Sequence, residues 1–397
     1  MGYNEFAKNI NQNKEIRAMA HYNTILNQLT AIFPRHDFEY LAKVHHNGQK
    51  FRAYNRWSQF LAMTIAQLAG LKSLRDIRDT LRSQGKRIYH LGMRKTSRAT
   101  LARVNEQQPH ELYKAMFYRM LDKCSRVAPK HRFKFNGKVF LLDTTTIDLC
   151  LSVFPWAKFR RAKGAIKLHF GLDAEGYLPA FMDLTDGKFH EVNWARKLQK
   201  IPTGSCLVFD KGFTDYLWYQ DLCDRGIFFV TRMKKNATPI YLRKRPGRKP
   251  VNISSDQTIK LSKMNSTLRL VDYTDPETGK KYQFLTNATH LNAQTIADLY
   301  KERWQIEQFF KWVKQNLKIK TFYGTSVNAV LTQIWIVLCV YLLLSFIKFK
   351  ARLGLSITRI LRLLHLNLFE RRSLTDLLKP PDKQLTVSPQ LLLWEKL

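Results

Sequence analysis

The sequence predicts a mixed α/β protein: a helical N-terminal region, then a mixed sheet flanked by helices and interrupted by a β-rich insertion. Three observations predict it. Apolar residues recur at helical spacing through the first third of the chain, as in Trp57, Phe60, Leu61, Ile65, Leu68 and Leu71. From Lys138 the texture changes to short apolar runs of strand length, with helical stretches between the later ones. Between Lys234 and about Asn287, alternating runs separated by turn residues replace the helical spacing.

The helical region spans residues 1–134. Ser73 caps a helix that reads Ser73-Leu-Arg-Asp-Ile-Arg-Asp-Thr-Leu. Lys95-Thr-Ser-Arg-Ala-Thr-Leu-Ala-Arg then places another helix start among basic and hydroxylated residues. Such a start suits a helix-turn-helix-like contact with DNA, and equally a basic bundle that packs on the rest. The expected strands are Val139–Leu142, Ile166–Leu172, Tyr177–Leu184, Cys206–Phe209 and Ile227–Thr231. Two of them end alike, Phe-Leu-Leu-Asp143 and Leu-Val-Phe-Asp210, an apolar run closing on a carboxylate. If those strands are parallel neighbours, both carboxylates emerge at one end of the sheet; alone, each acid could simply cap a turn. The insertion, residues 235–287, carries a basic loop, Arg243-Lys-Arg-Pro-Gly-Arg-Lys249. Residues 351–397 read as a basic helical segment, stopped by Pro380-Pro381 and followed by a tail.

Composition narrows the partners. Lys and Arg number 66 against 31 Asp and Glu, a formal charge of +35 in 397 residues, which points to a polyanion such as nucleic acid. Five cysteines form no C-x-x-C pair and fit reduced, buried thiols in a cytoplasmic protein. No apolar signal segment opens the chain, and Phe6 breaks the myristoylation pattern. Ala329 to Ile347 is uncharged and long enough to span a bilayer, but Thr332, Gln333 and Ser345 interrupt it, so a buried core helix is expected and no membrane.

One stretch concentrates chemistry. In Tyr300 to Lys314, at about 100° per residue, Tyr300, Arg303, Glu307 and Lys314 share an arc of roughly 60° on a continuous helix. Leu299, Ile306, Phe309, Phe310, Val313 and Leu317 form an apolar stripe beside it. A carboxylate with a phenol, a guanidinium and an ammonium suits a metal-bound phosphodiester, although a solvated face with incidental i,i+4 pairs has the same composition. Three acids from separate elements, Asp143, Asp210 and Glu307, are what two Mg²⁺ ions need for in-line displacement at phosphorus.

With these residues in place the chain resembles the DDE transposases of bacterial insertion sequences, in the branch marked by Y-x2-R-x3-E-x6-K. That motif is Tyr300, Arg303, Glu307 and Lys314, complete and in chain order after Asp143 and Asp210. Phe209-Asp210-Lys-Gly-Phe213, Tyr323-Gly-Thr-Ser326 and Arg56-Trp-Ser-Gln-Phe60 extend the resemblance. It implies a ribonuclease H-like catalytic core over residues 135–350, with the β-rich insertion ahead of the last acid and a helical DNA-binding domain in front. It implies cut-and-paste movement of an element at its terminal inverted repeats, through a hairpin end, into target DNA, by a homodimer in the synaptic complex. Asp143, Asp210 and Glu307 would hold two Mg²⁺ ions, with Mn²⁺ as a substitute, while Tyr300, Arg303 and Lys314 would hold DNA. The other functional class open to the sequence is a catalytically inactive DNA-binding regulator derived from such an enzyme.

Overall fold

The computed structural model describes residues 23–48, 51, 54–160, 163–246, 250–316 and 322–379. Leu317 of the expected stripe, residues 247–249 of the basic loop, Pro380-Pro381 and the tail lie outside the described residues.

The N-terminal region is helical: α1 (Ile25–Thr30), α2 (Arg35–Val44), α3 (Arg56–Leu68), α4 (Leu74–Gln84), α5 (Arg98–Gln107) and α6 (Glu111–Ser125). Thr24, Asn55, Ser73 and Ser97 start four of these by accepting a backbone N–H three residues on, and Ser73 with Asp76 forms a full capping box. Every residue of α3 is buried, Arg56 included. That cation is tolerated because its donors meet Gln59 Oε1 (2.9 Å), the His45 carbonyl (3.1 Å), Gln108 Oε1 (3.2 Å) and the Pro109 carbonyl (2.8 Å).

One sheet carries the rest, with strands β1 (Val139–Leu149), β2 (Lys158–Arg160), β3 (Lys163–Asp173), β4 (Leu178–Asp186), β5 (Cys206–Phe209), β6 (Phe228–Arg232), β7 (Pro239–Lys244), β8 (Ile253–Leu261), β9 (Leu268–Thr274) and β10 (Lys281–Thr286). Their order is β2-β3-β1-β5-β6-β10-β9-β8-β7, with β4 also on β3. β1, β3 and β4 form an antiparallel meander, β1, β5 and β6 run parallel, and the insertion strands β7–β9 prolong the same sheet beyond β10. The five expected strands are all present. β1 differs in length: it does not close on Asp143 but runs on to Leu149 against β3 alone, because Asp143-Thr-Thr-Thr-Ile-Asp-Leu alternates buried and exposed positions, as a half-covered strand does.

The remaining helices are α7 (Glu191–Ala195), α8 (Tyr216–Asp224), α9 (Ala293–Glu302), α10 (Trp304–Asn316), α11 (Val327–Lys350), α12 (Ile357–Asn367) and α13 (Leu374–Leu378). The expected single helix through Tyr300 and Lys314 is two. Arg303 sits at the joint, its N–H bonding the Tyr300 carbonyl at 3.1 Å in a tighter, three-residue turn.

Strand alternation sorts the core. Phe140, Leu142, Leu207 and Phe209 pack with α7 and α8 residues on one face; Val139, Leu141, Cys206 and Val208 join Ile306, Phe309 and Phe310 of α10 on the other. α11 is the one described helix long and apolar enough to cross a membrane, and 94% of its most apolar window is buried in the protein. It packs against α3, α5, α6 and α12, and Gln333 Oε1 accepts the Tyr323 N–H at 2.9 Å. The expected core helix is thus the centre of a core that runs from the N-terminal helices to the sheet.

α10 is seated on β3 by Phe170, whose ring lies 5.2 Å from Phe309 and 5.6 Å from Phe310. Phe170 is 1% exposed, so Phe170→Ala should cost about 3–5 kcal/mol in equilibrium urea unfolding. A loss below about 1 kcal/mol would show that α10 does not depend on this seat.

Candidate active site

The parallel pairing of β1 with β5 ends at Leu142 opposite Phe209, so Asp143 and Asp210 are the next residues on adjacent strands. Alternation turns both side chains to the face that carries α10. Glu307 stands in the first turn of α10, which packs on β1. The pattern repeats once more: β5 pairs with β6 through Val208 and Val230, which brings Arg232 level with Asp210. Three parallel strands therefore carry Asp143, Asp210 and Arg232 level with one another on one face.

Arg303 links two of the acids. Its guanidinium lies 2.5 Å from Glu307 Oε1 and 3.4 Å from Asp143 Oδ2. Asp143 Oδ1 accepts the Thr144 N–H at 2.8 Å, and Asp210 Oδ1 accepts the Gly212 N–H at 2.6 Å. Burial pushes the Asp143 carboxyl up to about 6; the Thr144 N–H and Arg303 oppose this, and the nearby negative charges of Asp210 and Glu307 add to it. A Cβ at Gly212 would lie 2.8 Å from Asp210 Oδ1 and 3.0 Å from Glu191 Oε2, so a side chain there would push against both carboxylates.

The cationic and phenolic residues divide. Tyr300 is buried, with its ring on Phe284 at 4.8 Å and flanked by the guanidinium carbons of Arg232 and Arg303 at 5.7 and 5.8 Å. Burial raises its phenol. Lys314, on the exposed side of α10, donates to the Thr146 carbonyl at 3.1 Å, further along the uncovered length of β1. The structure thus brings Asp143, Asp210, Glu307, Arg303 and Tyr300 together and sets Lys314 at the rim. Sequence reading missed Arg232 and Glu191. Arg232 gains its place only from the register of β6 against β5, and Glu191 gave no local signal.

For a divalent cation, the donors fit in kind: three carboxylates, all hard oxygen ligands, one of them held in a setting that penalises its uncompensated charge. In spacing, no group of three or more His, Cys, Asp or Glu among the described residues is drawn close enough to enclose an ion. A guanidinium lies between Asp143 and Glu307 and supplies the positive charge there.

Comparison with known proteins places the chain in a family. The Transposase DDE domain matches residues 134–343, and a domain of unknown function, DUF4372, matches residues 21–94. Transposase y4zB of Sinorhizobium fredii is 31% identical over 290 residues, 71% of this chain and 80% of that protein. The transposase for insertion sequence element IS5377 of Geobacillus stearothermophilus is 28% identical over 256 residues, 63% of this chain and 67% of that protein. Among solved structures, a piggyBac transposase synaptic complex with hairpin DNA aligns over 93% of this chain and 84% of that chain, at 11% identity and a TM-score of 0.45. By its domain match over residues 134–343 and its curated relatives, the chain belongs to the DDE transposases, enzymes that cleave DNA and transfer the strand.

Proposed function

We propose that the protein moves an insertion sequence by metal-dependent cut-and-paste transposition, cleaving at the terminal inverted repeats and joining the freed ends to target DNA. The observation that carries this is the convergence on one sheet face of Asp143 and Asp210, from adjacent parallel strands, with Glu307 from the helix packed over them. The order β4-β3-β1-β5-β6, an antiparallel meander followed by two parallel strands, supports a ribonuclease H-like core in residues 135–350 with the insertion at 235–287. Residues 1–134 would serve as the DNA-binding domain, residues 351–397 as a C-terminal segment, and the protein would work as a homodimer on paired ends in the cytoplasm.

Asp143, Asp210 and Glu307 would hold two Mg²⁺ ions, or Mn²⁺ in their place. Such ions supply a lowered pKa for the attacking water and charge for the leaving 3′ oxygen. The chain's own task is to hold the strand. Arg303 and Arg232 each bury an Nε–H that has no acceptor among the described residues, which a phosphate oxygen would provide. The Tyr300 ring lies within cation–π reach of both guanidinium groups, and Lys314 offers a point charge further along β1.

Closing a hairpin at the element end brings phosphates together that repel one another. Arg303→Ala and Lys314→Ala should therefore impair hairpin formation and resolution about tenfold more than the first nick. The assay is a denaturing gel of end-labelled duplex carrying the sequences that border the gene, with Mg²⁺. Equal loss at all three steps would instead mean a general binding defect, and absence of any cleavage by the parent protein would sink the proposed function.

A further inference from the structure

Outside the acidic centre, a concentration of positive charge borders a concavity in the N-terminal region. Residues 72–98 hold nine Lys or Arg and two acids, Asp76 and Asp79. Both acids are engaged: Asp76 closes the capping box of α4, and Asp79 pairs with Arg78 through two hydrogen bonds of 2.8 and 3.0 Å. Arg82, Arg94, Lys95 and Arg98 form no salt bridge within 4 Å among the described residues, Arg82 acting on Asp79 only from further away. Here a cleft of about 970 Å³ opens between α4, the turn after it and the start of α5. Leu81, Ile88 and Met93 line its floor, and Arg82, Arg94 and Lys95 its rim.

The cleft wall is held in place before any ligand arrives. Trp57, in the wholly buried α3, donates Nε1–H to the Leu91 carbonyl at 2.8 Å, and the Arg94 N–H donates to Ser58 Oγ at 2.8 Å. Tyr89 stands 75% exposed at the mouth. Beside the cleft, α5 packs inward through Leu101, Val104 and Asn105 and leaves Arg98, Ala99, Ala102 and Arg103 in solvent. Two alanines between two arginines make a face that can approach another surface closely.

We propose that this cleft and the outer face of α5 form a duplex-DNA docking surface, with one sugar–phosphate strand along the cleft and α5 in the adjacent major groove. This rests on the reading of residues 1–134 as the DNA-binding domain and gives it a location. Cationic rim and apolar floor match the two parts of the strand, phosphate and deoxyribose. A helix about 10–12 Å across fits a major groove about 12 Å wide, and the alanines let Arg98 and Arg103 reach guanine edges. Contacts from the cleft bind any sequence, whereas contacts from α5 select one.

The test measures binding of the full-length protein to fluorescent duplexes of the gene's two borders and to a scrambled duplex, across salt concentrations. The Arg82→Ala, Arg94→Ala, Lys95→Ala triple variant should bind every duplex at least about tenfold more weakly, with a salt slope shallower by about 3. Arg98→Ala with Arg103→Ala should lower the preference for border over scrambled DNA by about 10- to 100-fold and leave scrambled binding nearly unchanged. All these side chains are at the surface, so an unchanged melting temperature checks the fold. Parental affinity and slope in the triple variant would overturn the proposal, as would single-stranded DNA competing as well as duplex. Cleavage of border DNA by the parent protein is read in parallel. If the parent cleaves while the variants bind normally, the docking surface alone is wrong; if the variants lose binding while the parent cleaves nothing, the docking surface stands and the proposed function falls.

Discussion

Glu307→Gln should reduce strand cleavage by about 10³-fold or more while leaving DNA binding intact or slightly tighter. The amide keeps the size of the side chain and the helix that carries it, so α10 stays on its seat of Phe170. What it loses is charge. A neutral oxygen is a poor ligand for a hard cation, and the proposed centre of Asp143, Asp210 and Glu307 would have no fourth carboxylate on the same helix to substitute. Binding should survive because removing a negative charge beside a polyanion lowers repulsion. A filter-binding assay in the presence of EDTA, alongside a cleavage gel with Mg²⁺, separates the two effects. Cleavage within tenfold of the parent would remove Glu307 from the metal site, and a parallel loss of binding would make it a folding residue.

Much of this centre could be read in the sequence, because its signals are local. An apolar run ending in Asp is visible at Asp143 and at Asp210, and the apolar stripe of Ile306, Phe309, Phe310 and Val313 announces a helix packed by one face. Three features were not local. β1 continues past Asp143 only because β3 gives it a partner to Leu149, and polar Thr and Asp conceal that pairing in the sequence. The break at Arg303 follows from one residue answering to two helices and two carboxylates, where an ideal helical arc assumes a straight rod. Arg232 gains its place from register: Cys206 opposite Phe228 on parallel strands fixes which residue is level with Asp210, and no spacing rule carries that across the residues between. The long apolar helix was ambiguous for a different reason, since a helix buried by protein and one buried by lipid need the same side chains. Only the packing of α3, α5 and α6 around α11 separates them.

Arg303→Ala should leave the metal-free protein about 3–5 kcal/mol less stable near pH 7.5 and, at the same time, make it bind divalent cations more tightly. The guanidinium, 14% exposed, is the positive charge that the structure places between Asp143 and Glu307. Asp143 already titrates at about 6 against an ordinary 3.8. Because its folded pKa is raised, its contribution to stability is fully present below about pH 4 and is lost as pH rises through about 6. Without Arg303 only the Thr144 N–H still lowers Asp143, against burial and two negative neighbours that raise it, so the loss deepens and extends toward neutral pH. A divalent cation at the proposed site would compete for the same carboxylates, and the parent would have to displace Arg303 to admit one, which would free the guanidinium for a DNA phosphate. The variant need displace nothing. Thermal unfolding between pH 5 and pH 8, with and without Mg²⁺, reads both effects: Mg²⁺ should raise the melting temperature of the variant more than that of the parent, by the linkage of tighter binding to the folded state. Calorimetry with Mg²⁺ or Mn²⁺ gives the affinities directly. Equal stabilisation of both proteins by the metal would show that Arg303 does not occupy the cation's position, and a variant as stable as the parent at pH 7.5 would show that Asp143 and Glu307 do not depend on its charge.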